Sequence, residues 1–171
     1  MVNDFPADEL RPLKMITGPY DKGIYKCYAI VDESDESDIH GYAYFVKNGK
    51  HYLFDYLAIS DEKRNSGIGS TFLSLLREQF ANSESVIGEV EDPDYAENDV
   101  DKDIQTRRLN FYLRNGYINT NVKVKLFGVD YIVLEMDLNK THSEKEIIDL
   151  YNNHYRTMLP KKLFDSMVHI K

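Results

Sequence analysis

The segment YLFDYLAISDEKRNSGIGSTFLSLL, residues 52–76, constrains the fold more than any other part of the chain. Up to Ile59 it is aromatic and aliphatic with a single acid, the composition of a buried strand. A short polar stretch follows. The apolar positions Ile68, Phe72, Leu73, Leu76 and Phe80 then recur at helical spacing and predict a helix over roughly 67–80. A helix that opens at a Gly-containing turn leaves its first backbone N–H groups without intrahelical partners, at the end where its dipole favours an anion. Two readings of Gly67 and Gly69 stand side by side. They cap a tight strand-to-helix turn, or they let an anionic ligand approach the backbone, with Ser70 adding a hydroxyl and Arg64 a fixed positive charge. The third glycine of a dinucleotide fingerprint and the Gly-Lys-Ser/Thr of a P-loop are both missing.

Strand signals precede this segment. YKCYAIV (25–31) stops at the acidic run DESDESD, and GYAYFV (41–46) is a second strand. Asn48-Gly49 ahead of HYLFDYLAI (51–59) signals a hairpin, because both residues tolerate the positive φ such turns require. The first half is therefore expected to be an antiparallel meander. Farther on, SVIGEVE (85–91) reads as a strand and DPDYAENDVDKD as a polar loop. Ile104, Leu109, Phe111 and Tyr112 fall in a helix of about four turns that Asn115-Gly116 stops. NVKVKLF and DYIVLEM read as strands around Gly128. Ser143 and Glu146 form a capping box ahead of Ile147, Ile148, Tyr151, Tyr155, Met158 and Leu159 at helical spacing, and Pro160 ends that helix. Pro6, Pro12 and Gly18-Pro19 leave room for at most a short helix around 7–16. No repeat or linker divides the 171 residues, and a single domain over 1–171 is expected.

Charge narrows the partners. With 21 Lys and Arg against 29 Asp and Glu the net charge is −8, which repels phosphate backbones and anionic membrane surfaces, so neither nucleic acid nor membrane is an expected partner. No apolar run approaches the roughly 20 residues that cross a bilayer. The start MVNDFPADEL is too acidic and polar for a signal peptide, and a cytoplasmic protein is expected. The lone Cys27 reads as a buried, inert thiol in a strand. His40, His51, His142, His154 and His169 show no metal-ligand spacing, so no metal is expected.

The order of two motifs carries a resemblance. R-N-S-G-I-G (64–69) directly after a strand matches Q/R-x-x-G-x-G/A, and RRLNFYLRNGY (107–117), after the next strand, matches a helix that ends in F-Y-x-x-x-G-F/Y. In this order and separated by one strand, they resemble the GCN5-related N-acetyltransferases over about residues 25–138. The resemblance implies an α+β (mixed α/β) fold, a central, mostly antiparallel twisted sheet flanked by helices. Against that pattern the chain has a shortened N-terminal segment (1–24), a family core (25–138) and a C-terminal helical extension (139–171). It also implies acetyl-CoA as co-substrate, with the strand edge at Leu57, Ala58 and Ile59 pairing with pantetheine amides. The amides of Arg64, Asn65, Ser66, Gly67, Ile68, Gly69 and Ser70 would hold the pyrophosphate. A strand edge offers the unpaired N–H and C=O groups that such pairing needs. In the family a bulge splays this strand from the next; nothing in the sequence marks it.

The family places its general acid at the position of Tyr112, and a phenol of ordinary pKa about 10 can protonate a departing thiolate while remaining protonated at neutral pH. Core packing of Phe111-Tyr112 is the alternative reading. An acceptor amine of lysine-like basicity must lose a proton before it attacks, and Asp55, Glu89 and Glu91 are candidate bases. Glu89 and Glu91 alternate onto one strand face, where they either collect a cation or sit solvated at a strand end. Arg107 and Arg108 either meet CoA phosphates or line a solvated helix face. Gln105 stands where many members have Asn. The run 89–103 holds eight acidic residues and one basic, and 32–38 holds five acidic, so the rest of the chain is net positive. The larger run is a solvated loop or a rim that gathers a cationic substrate.

The expected activity is N-acetylation of a small cationic amine by direct attack in a ternary complex. The alternatives are a non-catalytic acetyl-CoA-binding module and a nucleotide-binding protein. The C-terminal extension covers the sheet, replaces an acceptor wall or makes a homodimer.

Overall fold

The computed structural model describes residues 23–171. The helix expected around 7–16 lies outside the described residues. Seven strands follow, β1 Tyr25–Val31, β2 Ile39–Asn48, β3 His51–Ile59, β4 Ser85–Glu91, β5 Tyr117–Leu126, β6 Val129–Met136 and β7 Val168–Ile170. The helices are α1 Ile68–Gln79, α2 Asp99–Arg114, α3 Glu144–Met158 and α4 Lys161–Met167. The strands form one sheet in the order β1-β2-β3-β4-β6-β5-β7, antiparallel throughout except for the β3–β4 pair. The expected α+β architecture and antiparallel meander are both present.

Alternation along the strands divides the apolar residues between two cores. Ala43, Phe45, Phe54, Val86, Val90 and Leu134 meet Phe72, Leu73 and Leu76 of α1, with Phe111 and Tyr112 of α2 packed against them. On the other face Val46, Leu53, Ile87 and Val133 meet Ile147, Tyr151 and Tyr155 of α3. Each such side chain contributes about 1.5–3 kcal/mol by leaving water. The helices are therefore held to the sheet mainly by packing.

Two stretches read as loop or tail from sequence turn out to be ordered elements. Half of the polar run after β4 is the first turn of α2, where the Asn98 side chain accepts the Asp101 N–H at 3.0 Å. Asp99 and Asp101 lie in that turn, where the helix dipole favours acids. Pro160 ends α3 as expected but also opens α4, and β7 then pairs with β5. A seven-residue helix and a three-residue strand are too short for periodicity to register. The capping box is present, with the Ser143 N–H donating to the Glu146 carboxylate at 2.8 Å. Cys27 is exposed on the edge strand β1 rather than buried; partial desolvation of its sulfur still raises the thiol pKa. Among the described residues no helix is long and apolar enough to cross a membrane.

α3 also carries a buried base. His154 is 1% exposed, neither ring nitrogen has a hydrogen-bond partner among the described residues, and burial pushes it down from 6.5 to about 4. The folded state then binds fewer protons than the unfolded state between those values. Stability is full above about pH 6.5 and is lost as pH falls toward 4, by on the order of 3 kcal/mol. Urea unfolding at pH 7.5 and 4.5 is expected to show a larger acid loss in the wild type than in His154→Leu; equal losses would assign the acid sensitivity to other groups.

Candidate functional site

The site is built by a parting of strands. β3 pairs with β4 from His51 opposite Ser85 to Phe54 opposite Gly88 and no farther. On its other side β3 stays paired with β2, but Phe45 lies opposite Phe54 and Tyr44 opposite Tyr56, so Asp55 is an extra residue. The packing records the same insertion. Phe54 belongs to the core under α1 and Tyr56 to the core under α3, although unbroken alternation would put them on one face. This is the bulge that the sequence leaves unmarked. Gly88 sits at the vertex, where a Cβ would lie 3.3 Å from Phe54 Cβ, so its lack of a side chain lets the strands meet closely just before they separate.

Beyond the vertex an open cleft is lined by Asp55, Tyr56, Leu57, Glu89, Val90 and Tyr112. Among the described residues that line it, none is basic. One edge of Leu57, Ala58 and Ile59 is paired with Ala43, Tyr42 and Gly41 of β2, and the edge toward β4 has no strand partner. Apart from the Ile59 carbonyl, which Arg64 engages, the hydrogen-bonding groups on that edge can serve a ligand that is itself extended and amide-bearing.

At the end of β3 the chain turns through Asp61–Lys63 to the start of α1. Asn65 and Gly67 take positive φ of 61° and 90°. The first helical bonds run from Ser70 and Thr71 N–H to the Gly67 carbonyl, at 3.0 and 3.1 Å, leaving the amides ahead of them as the orphan donors of a helix start. No side chain caps this end, in contrast to α2 and α3. A Cβ on Gly67 would meet nothing within 4 Å, whereas one on Gly69 would lie 3.1 Å from Phe111 Cζ. Gly69 thus answers to helix packing as well as to any ligand. Ser66 Oγ donates to the Lys63 carbonyl at 2.5 Å, and Arg64 donates to the Ile59 carbonyl at 3.3 Å and pairs with Asp61 at 2.8 Å. That ion pair is exposed and weak, so the guanidinium can be recruited by a stronger anion.

Tyr112 lies in the opposite wall. Its ring is edge-on to Phe54 and Tyr117, with centroids 6.1 and 5.3 Å apart. Burial pushes its phenol up to about 12, against a smaller lowering by Arg108, so the group keeps its proton at any ordinary pH.

The three carboxylates expected to serve as candidate bases are not equivalent. Asp55 is the bulged residue and lines the cleft. Glu89 lines it too and accepts hydrogen bonds from Tyr151 OH at 2.7 Å and from Tyr155 OH. Glu91 turns to α2, where Arg108 donates at 2.5 Å and Gln105 Nε2 at 3.3 Å. The expected common face of Glu89 and Glu91 therefore divides between two helices. Strand parity holds only while both neighbours keep the strand flat, and β4 has lost β3 by this point. The start of the acidic run beyond is paired locally, with Lys123 2.7 Å from Asp92 and 3.2 Å from Asp94. Sequence reasoning missed Tyr56, Gly88, Tyr151 and Tyr155. The last two lie on an apolar helix face that reads as core. Only the need of a buried phenol for a hydrogen-bond partner could have flagged them.

No family model and no curated protein matches the sequence. Solved structures do match. A Bacteroides thetaiotaomicron protein described as an acetyltransferase of the GNAT family superposes with a TM-score of 0.71 at 20% identity, covering 94% of this chain and 88% of that one. A spermidine N-acetyltransferase chimera from Vibrio cholerae gives 0.57 at 12% identity, over 72% and 73% of the two chains. A Bacillus subtilis acetyltransferase in complex with CoA gives 0.54 at 11%, over 72% and 82%. Identities this low speak to architecture, and the architecture of this chain is the GNAT fold, that of the GCN5-related N-acetyltransferases.

Proposed function

We propose that this chain is an acetyl-CoA-dependent N-acetyltransferase, one domain over 1–171, acting on a small cationic amine in the cytoplasm. The observation that carries the reading is the cleft between β3 and β4, with orphan helix amides at one end and a protonated phenol in its wall. The residues fit the co-substrate. The free edge of Leu57, Ala58 and Ile59 suits an amide-bearing arm, and the amides of Asn65, Ser66, Gly67, Ile68 and Gly69 suit a pyrophosphate, with Gly67 open to close approach, whereas the Arg64 and Ser70 amides of the expected set donate to the Asp61 and Gly67 carbonyls. Acetyl-CoA would supply the activated acyl group as a thioester.

The chain's own residues do the rest. Strand edge and loop orient one substrate and the walls of the cleft the other, and such alignment is worth up to roughly 7–11 kcal/mol of the barrier. Tyr112 donates a proton to the departing sulfur; a positioned acid of this kind contributes about 10²- to 10⁴-fold. Glu89 and Asp55, two carboxylates that line the cleft, favour a cationic acceptor and can take up its proton directly or through water. Glu91, held by Arg108 and Gln105, serves this role least well.

Two measurements test the reading. In thermal shift assays CoA is expected to stabilise the chain more than ATP or NAD does, and thiol release over an amine panel is expected only with cationic amines. CoA binding without thiol release for any amine would leave a binding module. Tyr112→Phe is expected to lower kcat by at least tenfold with CoA affinity nearly unchanged. Because the phenol titrates at about 12, no alkaline fall in kcat should arise from it below about pH 10. An unchanged kcat, with chemistry limiting the rate, would remove Tyr112 from the mechanism.

A further inference from the structure

Tyr117 opens β5 as a buried phenol with no task in the fold. It is 4% exposed, and its hydroxyl has no hydrogen-bond partner among the described residues. Tyr151 and Tyr155, also buried, both donate to Glu89. A hydroxyl taken from water and given nothing in return costs free energy that a phenylalanine at the same place would not. Packing therefore accounts for the Tyr117 ring and leaves its oxygen unexplained.

The neighbour of that ring is the proposed acid. Asn115-Gly116 stops α2, with Gly116 at φ 87°, and the turn brings residue 117 back against the end of the helix. The Tyr117 ring stands edge-on to Tyr112, at 73° with centroids 5.3 Å apart, and both residues line the cleft. Burial sets the Tyr112 phenol at about 12, so its phenolate is an anion this wall accommodates poorly. Arg108, the cation that eases it, is also held by Glu91. Burial and then the Tyr112 charge push the Tyr117 phenol well above its ordinary range, against a smaller lowering by Arg77. When Tyr112 is anionic, Tyr117 is therefore still protonated, a neutral donor beside an oxygen that has become a strong acceptor. Hydrogen bonds to an ionised partner are the strong ones.

We propose that Tyr117 is a positioning residue whose hydroxyl donates a hydrogen bond to the Tyr112 oxygen, directly or through one water, as that oxygen gives up its proton. The Tyr112 O–H bond breaks and an S–H bond forms on the departing CoA. Tyr117 keeps its own proton throughout, and solvent reprotonates Tyr112. The part of Tyr112 as acid rests on the function proposed above, whereas the coupling of the two phenols is a property of the free chain.

The test reads the ionisation of residue 112 alone, since the chain has 13 tyrosines. A ring-difluorinated tyrosine placed at position 112 is more acidic than tyrosine and is followed by fluorine NMR in the free protein. Tyr117→Phe is expected to raise the pKa of residue 112 by about one pH unit, a roughly tenfold change in its ionisation constant. The control is Tyr25→Phe, which removes another buried hydroxyl without a partner among the described residues and should leave that titration unchanged. Because Tyr117→Phe breaks no hydrogen bond of the folded chain, its urea midpoint should be no lower than that of wild type. With an acetylated amine in hand, Tyr117→Phe should lower kcat about tenfold and leave KM for acetyl-CoA unchanged, and Tyr112→Phe/Tyr117→Phe should be no slower than Tyr112→Phe alone. The assignment is overturned if Tyr117→Phe leaves the titration of residue 112 where it was, if Tyr25→Phe moves it as far, if the effects of the two Tyr→Phe changes on kcat multiply in full, or if Tyr117→Phe unfolds more readily than wild type, which would show its hydroxyl already bonded. A shifted titration in a chain that releases no thiol from acetyl-CoA with any amine would count against the proposed function and leave the coupled phenols standing.

Discussion

Both sides of the molecule depend on β3 and β4 keeping their hydrogen bonds as far as Phe54 and losing them afterwards. A sheet that stayed closed would satisfy every backbone group internally and offer a ligand nothing. Parting the strands exposes one edge of β3 in a partly buried setting. Such an edge is a liability in solution and a binding surface when an extended ligand completes it. The two cores make the parting affordable, because α1 and α2 brace one face and α3 the other on either side of the opening.

The strand end, the glycine turn and the helix starts that frame one end of the cleft were largely legible in the sequence because their signals are local. The change of period after Ile59, the glycines at 67 and 69, and the aromatic helix that ends at Asn115-Gly116 all lie within a few residues of the groups they position. The other end, around Glu89, was not legible. Glu89 could be named as a carboxylate on a strand, but the phenols that hold it lie 62 and 66 residues away. Glu91 looked like its twin and proved to be bound to a different helix. Charge counting suggested an acidic rim; the structure pairs part of that run, Glu91, Asp92 and Asp94, with Arg108 and Lys123, and places Asp55 and Glu89 in the lining of the cleft.

The C-terminal extension shows the same division between local and distant signals. Its capping box and apolar spacing predicted α3, while α4 and β7 were too short to register. What α3 packs against was beyond sequence reasoning altogether. Its buried face joins an apolar seal over the sheet with a pair of hydroxyls aimed at one strand, and His154 shows that this face also accommodates a base stripped of partners.

The extra residue in β3 has a consequence for how the chain can vary. Side chains in a strand are assigned to faces by counting, and Asp55 changes the count for everything after it. Deleting that residue would set Tyr56 directly after Phe54, on the opposite face where it already lies, so both cores would keep their side chains. What would be lost is the irregularity itself, the local bend that goes with the parting of β3 from β4. The presence of a residue at position 55 therefore matters to the architecture more than its identity does, and the length of β3 is as much a part of the site as any side chain in it.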